Sequence, residues 1–210
     1  MTKARTILVV GEGVEQATPD ECLVHLAFNV MADTAAEALT RVAALAEGGM
    51  QVLRGHGVAD DDLQTFNFSV QDFFDQKEGR VTARVGSYSF GVKVRPLDRV
   101  GELLAALAEE ADDSLQVRGM QLMVSNSEVV TEVARRRAVA DAQSRALQLA
   151  QAAGVRLGPI LSISEDPGGS GMTGYRAMAR ANGGQAFSMP VESGTIPKTV
   201  HVAVTYAIEA

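Results

Sequence analysis

Hydrophobic and polar residues alternate in four stretches of the sequence, which is the pattern of a β-strand with one buried face. In one of them, Phe66, Phe68 and Val70 fall on one parity and are expected on one face of a strand. Three shorter apolar runs predict further strands. The seven segments are Ile7–Val10, Cys22–Val30, Phe66–Val70, Tyr88–Val94, Leu115–Val124, Ile160–Ile163 and Val200–Ile208.

A first helix is predicted after Thr34, where Thr34 and Glu37 form a capping-box sequence. Its expected apolar stripe follows the helical spacing of three and four residues. The stripe consists of Leu39, Val42, Leu45 and Ala46. The pair Gly48-Gly49 should weaken the second half of this helix, by about 1 kcal/mol per glycine relative to alanine.

Two more helices are predicted further along the chain. One runs from Leu97 to Ala111, and its apolar stripe is Val100, Leu103, Leu104 and Leu107. The other begins with the capping sequence Ser125–Glu128 and ends near Gly154, a residue suited to the left-handed position after a helix. Val129, Val133, Ala140, Leu147 and Ala150 populate its faces. Because many of its residues are alanines, we expect it to lie close against a sheet.

The segment Pro167–Gly194 differs from the rest of the chain, since it holds seven of the twenty glycines and no sustained periodicity. We expect a single domain over residues 1–210 with a flexible excursion at residues 167–194. The excursion carries apolar side chains that are expected to contact another subunit or partner. They are Met172, Tyr175, Met178, Phe187 and Met189. Its three methionines could also form a soft Cu(I) site, but a flexible interaction surface is the preferred interpretation.

Composition and charge exclude several classes of protein. The 210 residues carry 19 basic and 26 acidic side chains, a net charge of −7, which argues against a general nucleic-acid binder. No apolar run approaches the 18 or so residues of a transmembrane helix. The single cysteine excludes an intrachain disulfide and thiol-rich metal sites. As written, the chain has no export signal, which predicts a cytoplasmic location, or a periplasmic or secreted one if a leader has been removed.

Several residues suggest chemistry but lack the required spacing. Cys22 and His25 could form a nucleophile and base, yet their opposite parity places them on opposite faces of a strand. His56 is better explained as a helix-end residue, and three scattered histidines predict no metal site.

Gly11-Glu12-Gly13 begins like a dinucleotide loop, but position 16 is Gln16 and a strand follows. The acidic clusters Asp60–Asp62 and Glu109–Asp113 do not have calcium-loop spacing.

The run Arg135-Arg136-Arg137 covers most of one helical turn in an acidic protein. Arg135 and Arg136 could contact an anion, or pair with carboxylates of a neighbour; a solvated helix face is the ordinary explanation. No catalytic constellation, cofactor site or metal site is predicted.

A set of short motifs, in order along nearly the whole chain, resembles the SIMPL domain family, which includes a bacterial periplasmic immunogen and the YggE proteins. These motifs are Val10–Gly13, Pro19–Glu21, Thr34–Leu39, Asp62–Val70, Leu97–Gly101, Ala138–Ala142, Ala150–Val155 and Ile163–Glu165. The resemblance implies an α+β fold, with an antiparallel or mixed sheet of about seven strands packed with three main helices. It also implies homo-oligomers and an association with the bacterial envelope and oxidative-stress tolerance. Many relatives carry an export signal, which this sequence lacks.

Three functional hypotheses follow. The first is a non-enzymatic homo-oligomeric structural or interaction protein, with Pro167–Gly194 contributing to assembly and the protein partner unknown. The alternative is a small-ligand binder or an enzyme whose site forms only in three dimensions, with Arg135, Arg136, His56 and Glu165 as candidate groups. A weaker third hypothesis is a redox sensor that acts through methionine oxidation.

Overall fold

The structure, a computed structural model, describes residues 5–165, 176–177 and 192–209. Within them the chain forms three helices and two antiparallel sheets. The elements are β1 (Thr6–Ala17), β2 (Glu21–Ala32), α1 (Ala35–Gly55), β3 (Leu63–Asp75), β4 (Arg80–Val94), α2 (Arg99–Ala111), β5 (Leu115–Met123), α3 (Ser127–Ala152), β6 (Arg156–Glu165), β7 (Arg176–Ala177) and β8 (Ile196–Glu209). The predicted α+β class is confirmed, with the seven expected strands and the two-residue β7 in addition.

The chain divides into two compact units, each assembled from segments that are separate in sequence. The first unit holds β1, α3, β6 and β8, and the second holds β2 to β5 with α1, α2 and β7. Neither unit is continuous in sequence, and the expectation of a single domain over residues 1–210 stays a prediction. None of the helices in the described ranges combines the length and hydropathy needed to cross a membrane.

In the first unit, α3 packs through alanines on a sheet of order β1-β8-β6. Every fourth residue of the helix is buried: Ala134, Ala138, Ala142, Ala146 and Ala150. A Cβ atom at Gly11 would overlap the carbonyl of Ala138, and one at Gly13 would overlap that of Ala134. The Gly-Glu-Gly sequence therefore brings the strand against the helix backbone, and the predicted close contact is confirmed. Val129 and Leu147, which are too large for this interface, lie exposed on the outer faces of the helix.

Helix α3 also closes the outer edge of β1 with three side chains spaced four residues apart. Arg145 Nη1 donates to the Val10 carbonyl at 3.0 Å, and Arg137 donates to the Val14 carbonyl. Between them, the Glu12 backbone N–H donates to Asp141 Oδ2 at 2.9 Å. These groups occupy the positions that an added strand would use, so this edge is protected from further pairing.

The hydrogen bonds at this edge also lower the pKa of the Asp141 carboxylate. The Glu12 N–H, together with Arg145 at 2.8 Å, lowers the pKa of Asp141 below its ordinary 3.8. Because the folded-state pKa is lowered, the stabilisation is fully present above 3.8. This stabilisation is lost as the pH falls through the lowered pKa of Asp141.

In the second unit, α1 and α2 cover one face of a sheet of order β3-β4-β2-β5-β7. The predicted inward positions of β2 are buried, from Cys22 to Val30, as are Phe90, Val92 and Val94 of β4. The stripe of α2 is buried as predicted. The stripe of α1 differs from the prediction, because Leu39 is exposed. The buried residues of α1 are Ala38, Val42, Ala46, Gly49 and Leu53.

Small residues face the sheet in α1 because the large ring of Phe28 rises from β2. A Cβ atom at Gly49 would lie 2.5 Å from Cζ of Phe28, and one at Gly48 would overlap the carboxylate of Glu110. Gly49 of this helix-weakening pair is thus required by the packing on the buried Phe28 ring, whereas at Gly48 the obstacle is the end of the flexible Glu110 side chain.

The predicted ends of the helices are largely confirmed. The Glu37 N–H donates to Thr34 Oγ1 at 3.2 Å, so Thr34 caps α1. Gly154 has φ of 68° and follows α3 in the left-handed conformation. The predicted capping box at the start of α3 is wrong: the N-cap position belongs to Asn126, and its side chain makes no capping hydrogen bond.

Candidate interaction surface

Strand β3 forms one end of the five-stranded sheet and is joined to β4 by a tight turn. Asp75 organises this turn: its Oδ1 accepts from the N–H groups of Lys77 (2.7 Å) and Glu78 (3.3 Å). Its carbonyl accepts from the Gly79 N–H at 2.8 Å, with Gly79 at φ of 64°. The hairpin therefore has a specified turn that holds two long strands in register.

None of the thirteen residues of β3 is buried. Four phenylalanines of the strand are between 41% and 56% exposed, and Val81 of β4 is 38% exposed. We call this set the β3 surface; it consists of Phe66, Phe68, Phe73, Phe74 and Val81. Exposed apolar surface of this kind is typical of interaction sites, which makes the β3 surface the candidate.

A β-bulge distributes these rings over both faces of the sheet. The register shifts between Thr65 and Asn67, so Phe66 is the extra residue. Its ring lies 5.3 Å from that of His25 and against Gly91, on the face away from α1. The expectation that Phe66 and Phe68 share a face is therefore wrong. Two-residue alternation fails wherever one strand gains a residue that its neighbour lacks.

On the helix-covered face, a row of aromatic rings connects β3 to the core. The Phe68 and Tyr88 rings lie 6.4 Å apart, edge to face, and Tyr88 lies 5.6 Å from Phe90. Phe90 in turn lies 5.1 Å from the buried Phe28. Thr65 Oγ1 and the Tyr88 hydroxyl are hydrogen-bonded at 2.6 Å. Of the exposed rings, Phe68 is thus in contact with this row, as Phe66 is with His25 on the other face.

A second exposed apolar area lies in the first unit, on the sheet face opposite α3. Leu8, Val10 and Val14 project from β1 there and are exposed. They alternate with Val9, Gly11 and Gly13, which face the helix. Its side chains are aliphatic, and Leu8 lies beside Thr205 of β8. Strand β6 of the same sheet also has exposed aliphatic side chains, at Ile160, Leu161 and Ile163.

The predicted partner contacts Met172, Tyr175, Met178, Phe187 and Met189 lie outside the described residues. Their role in assembly stays a prediction. The same holds for the flexible excursion at residues 167–194, of which only residues 176–177 and 192–194 are described.

The three consecutive arginines of α3, Arg135–Arg137, each pair with a carboxylate. Arg135 donates to both oxygens of Glu165, at 2.6 and 3.1 Å. This hydrogen-bonded pairing raises the pKa of Arg135 and lowers the pKa of Glu165. Arg136 pairs with Glu132, and Arg137 with Glu15. An anion contact at Arg135 and Arg136 stays a prediction; such a ligand would compete with these carboxylates.

The acidic turn before β3 is likewise part of an ion-pair cluster. Asp60 accepts from Arg54 at 2.7 Å, and Asp62 accepts from Arg95 at 2.6 Å. Arg95 also lies 3.6 Å from the carboxylate of Glu21, which is buried. Across the described ranges, no three His, Cys, Asp or Glu side chains are grouped as metal ligands would be.

The remaining candidates occupy structural positions. Cys22 is fully buried on the helix-covered face, whereas His25 packs on Phe66 on the other face, as their parity predicts. His56 lies at the end of α1, where Nδ1 is 2.9 Å from the Val52 carbonyl oxygen. This confirms its interpretation as a helix-end residue.

Cys22 is expected to be inert in the folded protein. Burial raises its pKa from 9.0 to about 11, against a smaller opposing effect of the backbone of Gln121. The thiolate fraction at about pH 8 is thereby reduced about 100-fold. Iodoacetamide labelling followed by mass spectrometry should be slower by at least that factor in buffer than in urea. Equal rates would show that the thiol is accessible.

Comparison with known proteins identifies the family of this chain. The model of the SIMPL family, described as a protein of unknown function (DUF541), matches residues 7–206. The 26 kDa periplasmic immunogenic protein of Brucella melitensis is 34% identical over 176 residues, 78% of this chain and 68% of that protein. YggE of Edwardsiella ictaluri is 28% identical over 163 residues, 75% of this chain and 66% of that protein. The chain therefore belongs to the SIMPL family.

Proposed function

We propose that this protein works as a homo-oligomeric interaction protein of the bacterial envelope and not through catalysis. The observation that carries the proposal is the β3 surface, with four half-exposed phenylalanines on one strand. Covering the exposed half of one ring removes about 100 Å² from water, worth about 2 kcal/mol. A soluble protein that keeps such groups exposed gains stability when they are covered by another chain.

The arrangement of charged groups supports binding over catalysis. Arg135 is neutralised by Glu165, and Arg95 by Asp62 and Glu21. Such mutual pairing stabilises the fold and leaves these side chains engaged with each other. Among the described residues, no comparable observation favours the alternative of a ligand-binding or catalytic site assembled in three dimensions.

The cellular setting is proposed from the relatives. Two Brucella proteins that are 34% identical to this chain are named as periplasmic. We therefore place the proposed oligomer in the bacterial envelope. A role in oxidative-stress tolerance is proposed from the family resemblance. We also propose that Pro167–Gly194 contributes contacts to the assembly through its methionines and aromatic residues.

The absolute mass in solution tests this proposal. Light scattering coupled to size exclusion should give a discrete multiple of 22.2 kDa that persists on dilution. A 22.2 kDa monomer at every concentration would refute it. Deletion of residues 168–184 should lower the mass while the circular dichroism spectrum is retained. An unchanged mass would remove this segment from the interface and leave the β3 surface as its basis.

A further inference from the structure

We propose that β3 pairs antiparallel with the β3 strand of a second copy, about a two-fold axis near Ser69. This inference rests on the oligomer proposed above and specifies its contact. It makes the five-stranded sheet of one copy continuous with that of the next. The partner is thus identical in sequence, and the contact is strand addition rather than side-chain docking alone.

The first argument is that β3 is an open sheet edge. Within the described ranges, β3 pairs with β4 alone and stands at the end of the sheet. Alternate backbone N–H and C=O groups of such a strand point outward, ready to pair with another chain. The edge of β1, by contrast, is closed by Arg137, Asp141 and Arg145. A further edge lies at β6, which among the described residues pairs with β8 alone. Of these two open edges, β3 is the longer and the one that carries exposed phenylalanines.

The second argument is the placement of the aromatic rings on both faces of β3. Phe66 lies on the face with His25, whereas Phe68 lies on the face with Tyr88. A partner docked on one face of the sheet would cover one of these rings. An added strand places side chains beside both, because its own residues alternate between the same two faces.

The third argument is charge, which selects the antiparallel orientation. The only charged residues of β3 are Asp72 and Asp75, both near its C-terminal end. A parallel, in-register pair would set these carboxylates beside their counterparts, which is unfavourable. An antiparallel pair centred on Ser69 overlaps the whole of Leu63–Asp75 and moves the acids to opposite ends. Its centre is uncharged and pairs regularly with β4, because it lies between the bulge at Phe66 and the bulge of β4 opposite Phe73 and Phe74.

The buried area also fits a second copy. Four rings per copy, each about half exposed, supply about 800 Å² over both copies. Specific interfaces bury about 1,200–2,000 Å² in total. The backbone and the other side chains of two thirteen-residue strands supply the remainder. A short peptide would overlap only part of the strand, whereas an identical strand overlaps all of it.

Cysteine cross-linking tests the contact directly in the full-length chain. Ser69→Cys should form a disulfide-linked dimer on mild oxidation, because residues opposite each other in an antiparallel pair have Cβ atoms about 5 Å apart. Ser87→Cys is the matched control, since Ser87 lies beside Ser69 on β4, one strand further from the axis. Two copies of Ser87 would be about 14 Å apart and should not be linked. The unaltered chain controls for Cys22.

A charge variant separates this inference from the proposed function. Ser69→Lys places two ammonium groups together at the axis and should weaken association at least about tenfold, whereas Ser87→Lys should not. Circular dichroism and thermal melting check that both variants fold. An unaltered chain that is monomeric would overturn both proposals. Three results together would overturn the β3 contact alone. The unaltered chain is oligomeric, both lysine variants have the same solution mass as it has, and Ser69→Cys forms no more disulfide-linked dimer than Ser87→Cys.

Discussion

Replacing Gly13 by alanine is expected to lower the free energy of unfolding by about 3 kcal/mol, the upper end of overpacking costs. The added methyl group would overlap the Ala134 carbonyl and the Ala138 backbone nitrogen of α3. Backbone atoms inside a helix cannot move aside as a flexible side chain can, so the helix must shift away from β1. That shift would also weaken the hydrogen bonds of Arg137 and Asp141 to the strand.

Urea unfolding followed by circular dichroism measures this cost. Gly119→Ala is the matched control, because Gly119 also lies in a strand but its added Cβ would meet nothing within 4 Å. The control should stay within about 0.5 kcal/mol of the unaltered protein. Ala134→Gly should not rescue Gly13→Ala, since the obstacle is the backbone of Ala134 and not its side chain. Equal stability of the Gly13 and Gly119 variants would contradict the close packing of α3.

Truncating Phe28 to alanine is expected to cost about 4 kcal/mol, as for other large aromatic residues in a core. Phe28 is fully buried, stacks on Phe90 at 5.1 Å and fills the space above Gly49. The loss combines transfer of the ring to water in the unfolded state with the cavity left between β2 and α1. Urea unfolding again measures the change.

The same site offers a double-mutant test. In the unaltered protein, Gly49→Ala should be destabilising, because its Cβ would lie 2.5 Å from the Phe28 ring. In the Phe28→Ala background the ring is gone, and the same substitution should stabilise the helix by up to about 1 kcal/mol. The effect of Gly49→Ala should thus change sign. If it destabilises equally in both backgrounds, the obstacle to a side chain at position 49 is not Phe28.

Most of the local structure can be predicted from the amino-acid sequence, because local structure depends on neighbouring residues. Two-residue alternation located β8 and the inward positions of β2, and the helical period located α2. Thr34 and Gly154 marked helix ends through side-chain capping and a left-handed conformation, respectively. Parity alone separated Cys22 from His25. The order of weak motifs was enough to indicate the SIMPL family.

Which of these strand and helix faces pack against other elements is visible in the tertiary structure alone. Alternation predicted strand β3 but could not show that it ends a sheet, since strand order depends on contacts between distant segments. The bulge at Phe66 was invisible for the same reason: it exists relative to β4. Likewise, the sequence suggests the start of a dinucleotide loop at Gly11 and Gly13 and a weakened helix at Gly49, whereas the packing of α3 and Phe28 shows which close contacts these glycines permit. Periodicity reports which side chains share a face; the approach of another element decides whether that face is buried, and how closely.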